Sequence, residues 1–251
     1  MMAQKNPGSS VYFIADAHLV PHPDDVQRAH EDQLLRFLRG IREDAEALYI
    51  VGDLFDFWFE YRTAVPKTGA RILFELYNLV QSGIRVICLP GNHDIWIGSY
   101  LQDQVGIELP GGPISVEHQG LKLFLAHGDE FRTDWKFRLS RAVLKSPFCV
   151  ACFRVLHPDA GGRLAAWTSS LSEHRMRITG GRNIDSLRDL AERKLADGPD
   201  AFLCGHFHLV THETLDGGSL IVLGDWVKHN TYAKLQSGRL ELLHWESSAQ
   251  E

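Results

Sequence analysis

The sequence predicts an α/β fold built on parallel strands, and three observations carry that prediction. Short apolar, β-favouring runs recur along the chain, helical patterns separate the first three of them, and each run ends in glycine or polar residues, as in βαβ units. The runs cover residues 11–15, 48–51, 84–89, 121–126, 201–204 and 220–223. With 251 residues and 44% hydrophobic content, the chain can fill one large α/β core, so stability needs no metal or disulfide staple.

Residues 1–10 are polar, lack an apolar run, and read as a short lead-in, not a signal peptide. The first strand, 11–15, leads into Asp16-Ala17-His18. On an extended backbone residues two apart project to the same side, so Asp16 and His18 are expected to meet one cation together. Residues 25–41 follow with Leu34, Leu35, Phe37, Leu38 and Ile41 on one helical face. The second strand, 48–51, stops at Gly52-Asp53, which offers a carboxylate at a strand's carboxyl end, where open α/β sheets place their sites. A second helix over 67–82 carries Ile72, Leu73, Leu76 and Leu79 and is closed by Gly83.

The remaining strands end in the same manner. Residues 84–89 run into Pro90-Gly91-Asn92-His93-Asp94, and 121–126 into His127-Gly128-Asp129. Residues 201–204 end in Gly205-His206-Phe207-His208, and 220–223 in Gly224-Asp225-Trp226. Phe57, Trp58 and Tyr61 read as core. The four cysteines, including Cys149 and Cys152 in a helical pattern, read as small core hydrophobes and not as a redox pair or disulfide framework. No run approaches the ~20 apolar residues of a membrane span; the most apolar helical stretch, 142–156, is broken by Lys145, Pro147 and Arg154.

Asp16, His18, Asp53, Asn92, His127, His206 and His208 form a set of carboxylates, imidazoles and one amide without thiolates. Such oxygen and nitrogen donors suit Mn²⁺, Fe²⁺ or Zn²⁺. Seven ligands exceed the needs of one ion, whereas two ions sharing a bridging carboxylate use them all, and Asp53 at the end of a central strand is placed to bridge. A two-metal pair acidifies a bridging water and neutralises a phosphoryl oxygen as charge builds. The histidines at 22, 30, 118, 157, 174, 229 and 244 read as surface or capping groups, and Asp56 and Asp129 as turn residues or supports behind the ligands.

These five motifs, in this order, resemble the signature of the calcineurin-like metallophosphoesterases. That resemblance implies a four-layer αββα sandwich, one ion on Asp16, His18, Asp53 and His208, and a second on Asp53, Asn92, His127 and His206. It also implies that His93, oriented by Asp94, contacts the transferring phosphoryl group, which makes His93 and Asp94 the expected catalytic residues. The whole chain, 1–251, is expected to form one such domain.

Residues 131–195 depart from a minimal hydrolase. They hold 13 Lys and Arg against 6 Asp and Glu in a chain whose net charge is -6, so an anionic partner is implied. Trp135, Phe137, Leu139, Val143, Leu144, Phe148, Val150 and Phe153 interleave with Lys136, Arg138, Arg141, Lys145 and Arg154. That mixture predicts a helical lid that takes acyl chains on one side and anionic head groups on the other; ordinary packing of an insertion is the plainer reading.

Within the superfamily, residues 52–58, Thr133-Asp134, Phe137-Arg138, the Lys145-Ser146-Pro147 break and residues 222–226 resemble the bacterial UDP-2,3-diacylglucosamine pyrophosphatases of lipid A synthesis. The resemblance implies manganese, attack by metal-bound hydroxide on the phosphorus next to uridine, and release of UMP and 2,3-diacylglucosamine 1-phosphate. Substrate contacts are expected from Asn92, His93, Asp134, Arg138, Arg141 and Phe148. A cytoplasmic location follows, peripheral on the inner face of the inner membrane. One departure stands out, since the best-known members carry Arg where this chain has His93. A His can also protonate a poorer leaving group, so a soluble phosphodiesterase or dinucleoside polyphosphate hydrolase remains the alternative. A scaffold that kept the fold and lost its metals would lack ligands, and the negative net charge argues against nucleic acid.

Overall fold

A computed structural model describes residues 9–21, 23–132, 134–163 and 184–246. The expectations for 1–8, His22, Thr133, His174 and the middle of the 131–195 segment lie outside the described residues.

The chain runs β1 (Ser10–Ile14), α1 (Asp25–Gly40), β2 (Ala45–Val51), α2 (Ala70–Gln81), β3 (Arg85–Leu89), β4 (Ile114–His118) and β5 (Leu121–Ala126). It continues with α3 (Trp135–Lys145), α4 (Pro147–Val155), a helix over Ile184–Leu195 that we number α5, and β6 (Ala201–Cys204). β7 (Val210–Leu215), β8 (Gly218–Leu223), β9 (Thr231–Gln236) and β10 (Arg239–His244) complete it. Two five-stranded sheets result, in the orders β10-β9-β1-β2-β3 and β4-β5-β6-β8-β7. β1, β2 and β3 are mutually parallel, as are β5, β6 and β8.

Strand periodicity produces the layers. Along β1, Tyr12 and Ile14 face α1 and α2, while Val11 and Phe13 face the other sheet; β2 divides likewise, with Leu48 and Ile50 outward and Ala47, Tyr49 and Val51 inward. Inner-face residues of both sheets, among them Leu123, Leu125, Leu203 and Ile221, share one core. On the far side Phe202, Cys204, Leu220 and Val222 pack against Leu187, Ala191 and Leu195 of α5. The four-layer αββα sandwich is therefore formed, and both sets of parallel strands carry ligand-bearing loops at their carboxyl ends.

Three expectations are corrected. α5 belongs to the outer layer of the sandwich, so the part of 131–195 that stands off the sheets, among the described residues, centres on α3 and α4. These helices break at Ser146, whose side chain caps α4 by accepting from the Cys149 N–H, with Pro147 at the first helical position. Of the cysteines, all free, Cys88 and Cys204 are core, but Cys149 is half-buried and Cys152 exposed, because α4 buries only Phe153. The side chains of Asp16 and His18 do not share a face by strand pleating: both residues turn left-handed, with φ of 55° and 44°. No helix among the described residues is long and apolar enough to cross a membrane.

Candidate metal centre

β1 leads into Asp16, fully buried, and β2 into Asp53, 1% exposed. Gly52 makes the second turn possible: it sits at φ +85°, and a Cβ there would overlap the His127 imidazole. Gly91 has a similar duty, since a Cβ on it would run into the Asp53 carboxylate. The loops therefore close to backbone distance around the two acids, which only glycine permits. Asp53, His206 and His208 also adopt left-handed φ, at 50°, 69° and 51°. That region is sparsely populated outside glycine, though Asp and His tolerate it better than most, and such residues concentrate at functional sites.

The turns bring the expected ligands together. His18 Nε2 lies 3.6 Å from Asp16 Oδ1, 3.8 Å from Asp53 Oδ2 and 3.1 Å from His208 Nε2. His208 Nε2 lies 3.5 Å from Asp16 Oδ1. Across Asp53, whose Oδ1 accepts from the His93 N–H at 2.9 Å, Oδ2 lies 3.2 Å from His127 Nε2, and that nitrogen is 3.2 Å from Asn92 Oδ1. The His206 ring meets that of His127 edge-on with centroids 5.1 Å apart. Asp53 Oδ2 thus stands between a His18–Asp16–His208 group and a His127–Asn92–His206 group.

The donor set fits divalent cations on this structure's own terms. Asp16 Oδ1 is buried without a hydrogen-bond partner, and the two Nε2 atoms of His18 and His208 face each other at hydrogen-bonding distance. Burial presses His18 and His127 toward the neutral form, but the Asp16 and Asp53 carboxylates, joined by Asp56 at His18 and by Asp129 at His127, reverse this and hold both well above the ordinary imidazole range. Asp53, despite burial, is held well below the usual carboxylate range by His127, His93 and His18. A cluster that draws positive charge this strongly is built to hold cations. Burial, with His127 adding to it, lowers His206 to about 3, so it stays a neutral donor.

Supports behind the ligands follow a pattern the sequence hid. His127 Nδ1 is fixed by the Val51 carbonyl at 3.0 Å. His208 Nδ1 lies 3.5 Å from Asp225 Oδ2, and Asp225, fully buried, also takes His229 Nδ1 at 2.8 Å and three backbone N–H donors. Asp225 ended an apolar run after a glycine, like Asp53; that signal was present but gave it no role. His229, read as surface, belongs to this support.

Asp94 does not orient His93. It is fully buried, its Oδ1 accepting from the Gly91 N–H and its Oδ2 from Leu54 and Phe55, so it ties two ligand loops together. Burial and the Asp53 charge raise it to about 6. The carboxylate that meets His93 is Asp56, with Oδ1 3.0 Å from His93 Nδ1 and 3.7 Å from His18 Nδ1. The family resemblance implied Asp94 as the partner, but its two oxygens are taken up by backbone N–H groups of the ligand loops.

Of the expected substrate residues outside the loops, Asp134 caps α3 by accepting from the Lys136 N–H, and Arg141 pairs with buried Asp129. Arg138 and Phe148 are exposed, Phe148 by 79%. α4 docks through Phe153 onto Phe57, Phe59 and Trp96, at centroid distances of 4.7–5.5 Å. The Trp96 indole N–H donates to the Leu144 carbonyl at 2.8 Å. Between these helices and the loop after β3 lies a hollow of about 1150 Å³, open solvent included, walled by Trp96 and Val150 and by Arg62, Lys145 and Arg154.

This layered fold with acids and imidazoles gathered at its strand ends defines a metal-dependent phosphoester hydrolase. The chain belongs to the calcineurin-like phosphoesterase family, whose model matches residues 9–210, and that family works with divalent metal ions. Among curated proteins it is 33% identical over 248 residues to the UDP-2,3-diacylglucosamine hydrolase of Porphyromonas gingivalis, covering 90% of this chain and 93% of that one. It is 31% identical over 229 residues to the protein of the same name from Neisseria meningitidis serogroup B, covering 89% and 92%. Among solved structures it superposes on Yfce, a phosphoesterase from E. coli, with TM-score 0.49 and 16% identity over 96% of this chain and 95% of that one, a likeness too remote to build on.

Proposed function

We propose that this enzyme cleaves UDP-2,3-diacylglucosamine to UMP and 2,3-diacylglucosamine 1-phosphate in lipid A synthesis. The observation that carries the reading is the hollow between the helices and the loop after β3, where Phe59, Tyr61 and Trp96 meet Arg62, Lys145 and Arg154. Acyl chains suit the first and a sugar phosphate the second. The names of the two curated relatives point to the same substrate.

Asp16, His18, Asp53 and His208 would hold one ion, and Asp53, Asn92, His127 and His206 the other, Mn²⁺ being our choice and Fe²⁺ or Zn²⁺ the substitutes. When bound, the pair supplies a Lewis acid that makes water nucleophilic near neutral pH and neutralises phosphoryl charge. Asp225 and the Val51 carbonyl fix the Nδ1 sides of His208 and His127, so their Nε2 atoms stay directed at the centre. Asp56 holds His93 by Nδ1, and in this reading the imidazole meets a phosphoryl oxygen or the leaving group. Burial opposes a charge on His93, yet Asp53 and Asp56 raise its pKa; a protonated His93 neutralises the phosphoryl group as an Arg would.

α3 and α4 act in this reading as a lid. Trp135, Leu139, Val143, Phe148 and Val155 are 54–87% exposed, with Lys136, Arg138 and Arg154 among them, a surface suited to a peripheral contact with an anionic membrane face. The deciding experiment is mass analysis of products from UDP-2,3-diacylglucosamine with Mn²⁺-loaded protein. UMP and the diacyl sugar phosphate are the expected masses, and an intact substrate would refute the assignment. His93 favours a second reading, a soluble phosphodiesterase, which turnover of water-soluble diesters without detergent would support.

A further inference from the structure

We infer that the hollow between the β1–α1 loop and the turn after β8 is a nucleoside subsite that seats the uracil and ribose of a uridine nucleotide. The inference rests on the proposed cleavage of a UDP-linked lipid and extends it to the part of the substrate that α3 and α4 do not serve. In the first sheet β2 lies between β1 and β3, so the ligand cluster has two flanks. The flank at β3 carries the aromatic and basic hollow beneath the helices. The flank at β1 carries another, of about 560 Å³ with open solvent included, which shares only His18 and Asp56 with the ligand cluster and the support of His93.

Its inner wall is formed by His18 and Asp56, the first contributing Nε2 to the cluster and the second holding His93. A group seated there adjoins the phosphoryl group under attack. Its outer wall is the first two turns of α1, with Gln27, His30 and Glu31, and its remaining surface is mostly aliphatic, with Trp226 closing the base. Gln27 spends its amide oxygen on the Asp24 N–H in the helix cap, so its amide nitrogen is the part that can donate to a ligand. Uracil presents carbonyl acceptors and one N–H donor on a flat ring, and ribose presents a cis-diol. A donating amide, an imidazole and a carboxylate that can accept the diol match those needs. The wide hollow under α3 and α4 offers Arg62, Lys145 and Arg154 beside aromatic rings, cations that pair best with phosphate oxygens. A substrate with one nucleoside end and one acyl end is therefore met on each side of its scissile phosphoanhydride by the surface of its own polarity.

The test is saturation-transfer NMR with uridine on the full chain loaded with diamagnetic Zn²⁺. Uridine has no phosphate, so its binding does not depend on catalysis. We expect transfer to the uracil H5 and H6 and to the ribose H1′, with cytidine about tenfold weaker because its amine replaces the acceptor that Gln27 meets. Glu31→Ala should weaken uridine about tenfold, and Val20→Trp, which fills the hollow from its rim, should abolish the signal. Absence of transfer to uridine in the unaltered protein, or unchanged transfer in both variants, overturns the subsite. If uridine binds as expected but UDP-2,3-diacylglucosamine stays intact, the substrate reading fails and the subsite stands. If the lipid nucleotide is cleaved and both variants leave its KM unchanged, the subsite fails and the substrate reading stands.

Discussion

Asp56 Oδ1 lies 3.0 Å from His93 Nδ1, so the loop after β2 supplies the carboxylate that holds the imidazole of the loop after β3. Asp56→Asn keeps the shape but replaces the charge. Turnover should fall about 10- to 100-fold, as for other residues that orient an active group, while metal content, measured by elemental analysis, stays at the unaltered value. Loss of metal together with activity would show that Asp56 acts mainly through His18.

His93→Arg separates the two substrate classes. A sugar 1-phosphate is a good leaving group that needs charge neutralisation, which a guanidinium provides through its fork. The variant is expected to keep most of its activity on UDP-2,3-diacylglucosamine. A fall in kcat of about 10²–10⁴ would mean that a proton is donated and would favour the phosphodiesterase reading.

Asp53→Asn removes one negative charge from the position between the two ligand groups. Activity should vanish and bound metal, by elemental analysis, should drop below that of the unaltered protein. An Asn variant with full metal content and full activity would overturn the bridging role.

Phe148→Asp tests the helices. The residue is 79% exposed, so the change should not unfold the chain, and melting temperature checks this. Each acyl methylene buried is worth about 0.8 kcal/mol, so a charge on that surface should raise KM for the diacyl substrate steeply with little change in kcat. An unchanged KM would remove the helices from substrate binding.

Away from the site, Asp44 accepts from Tyr12 Oη, Ser10 Oγ and Lys234 Nζ at 2.7, 2.9 and 3.0 Å. Burial works to raise its pKa, but those donors prevail and lower it. A carboxylate with a depressed folded pKa stabilises the fold above its unfolded pKa, about 3.9, and that stability is lost as pH falls through the lower folded value. Urea unfolding should show Asp44→Asn less stable at pH 7 by about 1 kcal/mol, solvent screening at the partly exposed carboxylate keeping the effect small, with the gap narrowing below about pH 4. A gap that does not change with pH would assign the loss to shape alone.

Much of the core was legible because buried parallel strands are continuous apolar runs: β1, β3, β5, β6 and β8 lie within two residues of where their patterns place them, and β2 begins three residues earlier, at Ala45. β4 was not read, since Ile114–His118 alternates between half-buried and exposed positions and resembles a polar loop. The β9–β10 hairpin escaped for the same reason, with Lys234 and Glu241 within its strands. At the site, donor identity was visible in the strand-end motifs, but direction was not. Asp94 follows His93 in sequence and turns away from it, whereas Asp56 lies 37 positions earlier and meets it. Whether a loop side chain points into a site is set by φ and ψ at each residue, and no periodicity reports those angles.

The left-handed backbone at Asp16, His18, Asp53, His206 and His208 has a consequence for anyone engineering this protein. Each such non-glycine position carries a conformational cost on the order of 1 kcal/mol, which glycine relieves. A library selected only for heat resistance will therefore be drawn toward glycine at His18 and His208, whereas at Asp16 and Asp53 the gain is offset by losing the carboxylates that accept from the His206 and His93 N–H groups. Its winners will melt later and hydrolyse nothing, so a screen for robust variants has to score turnover alongside temperature.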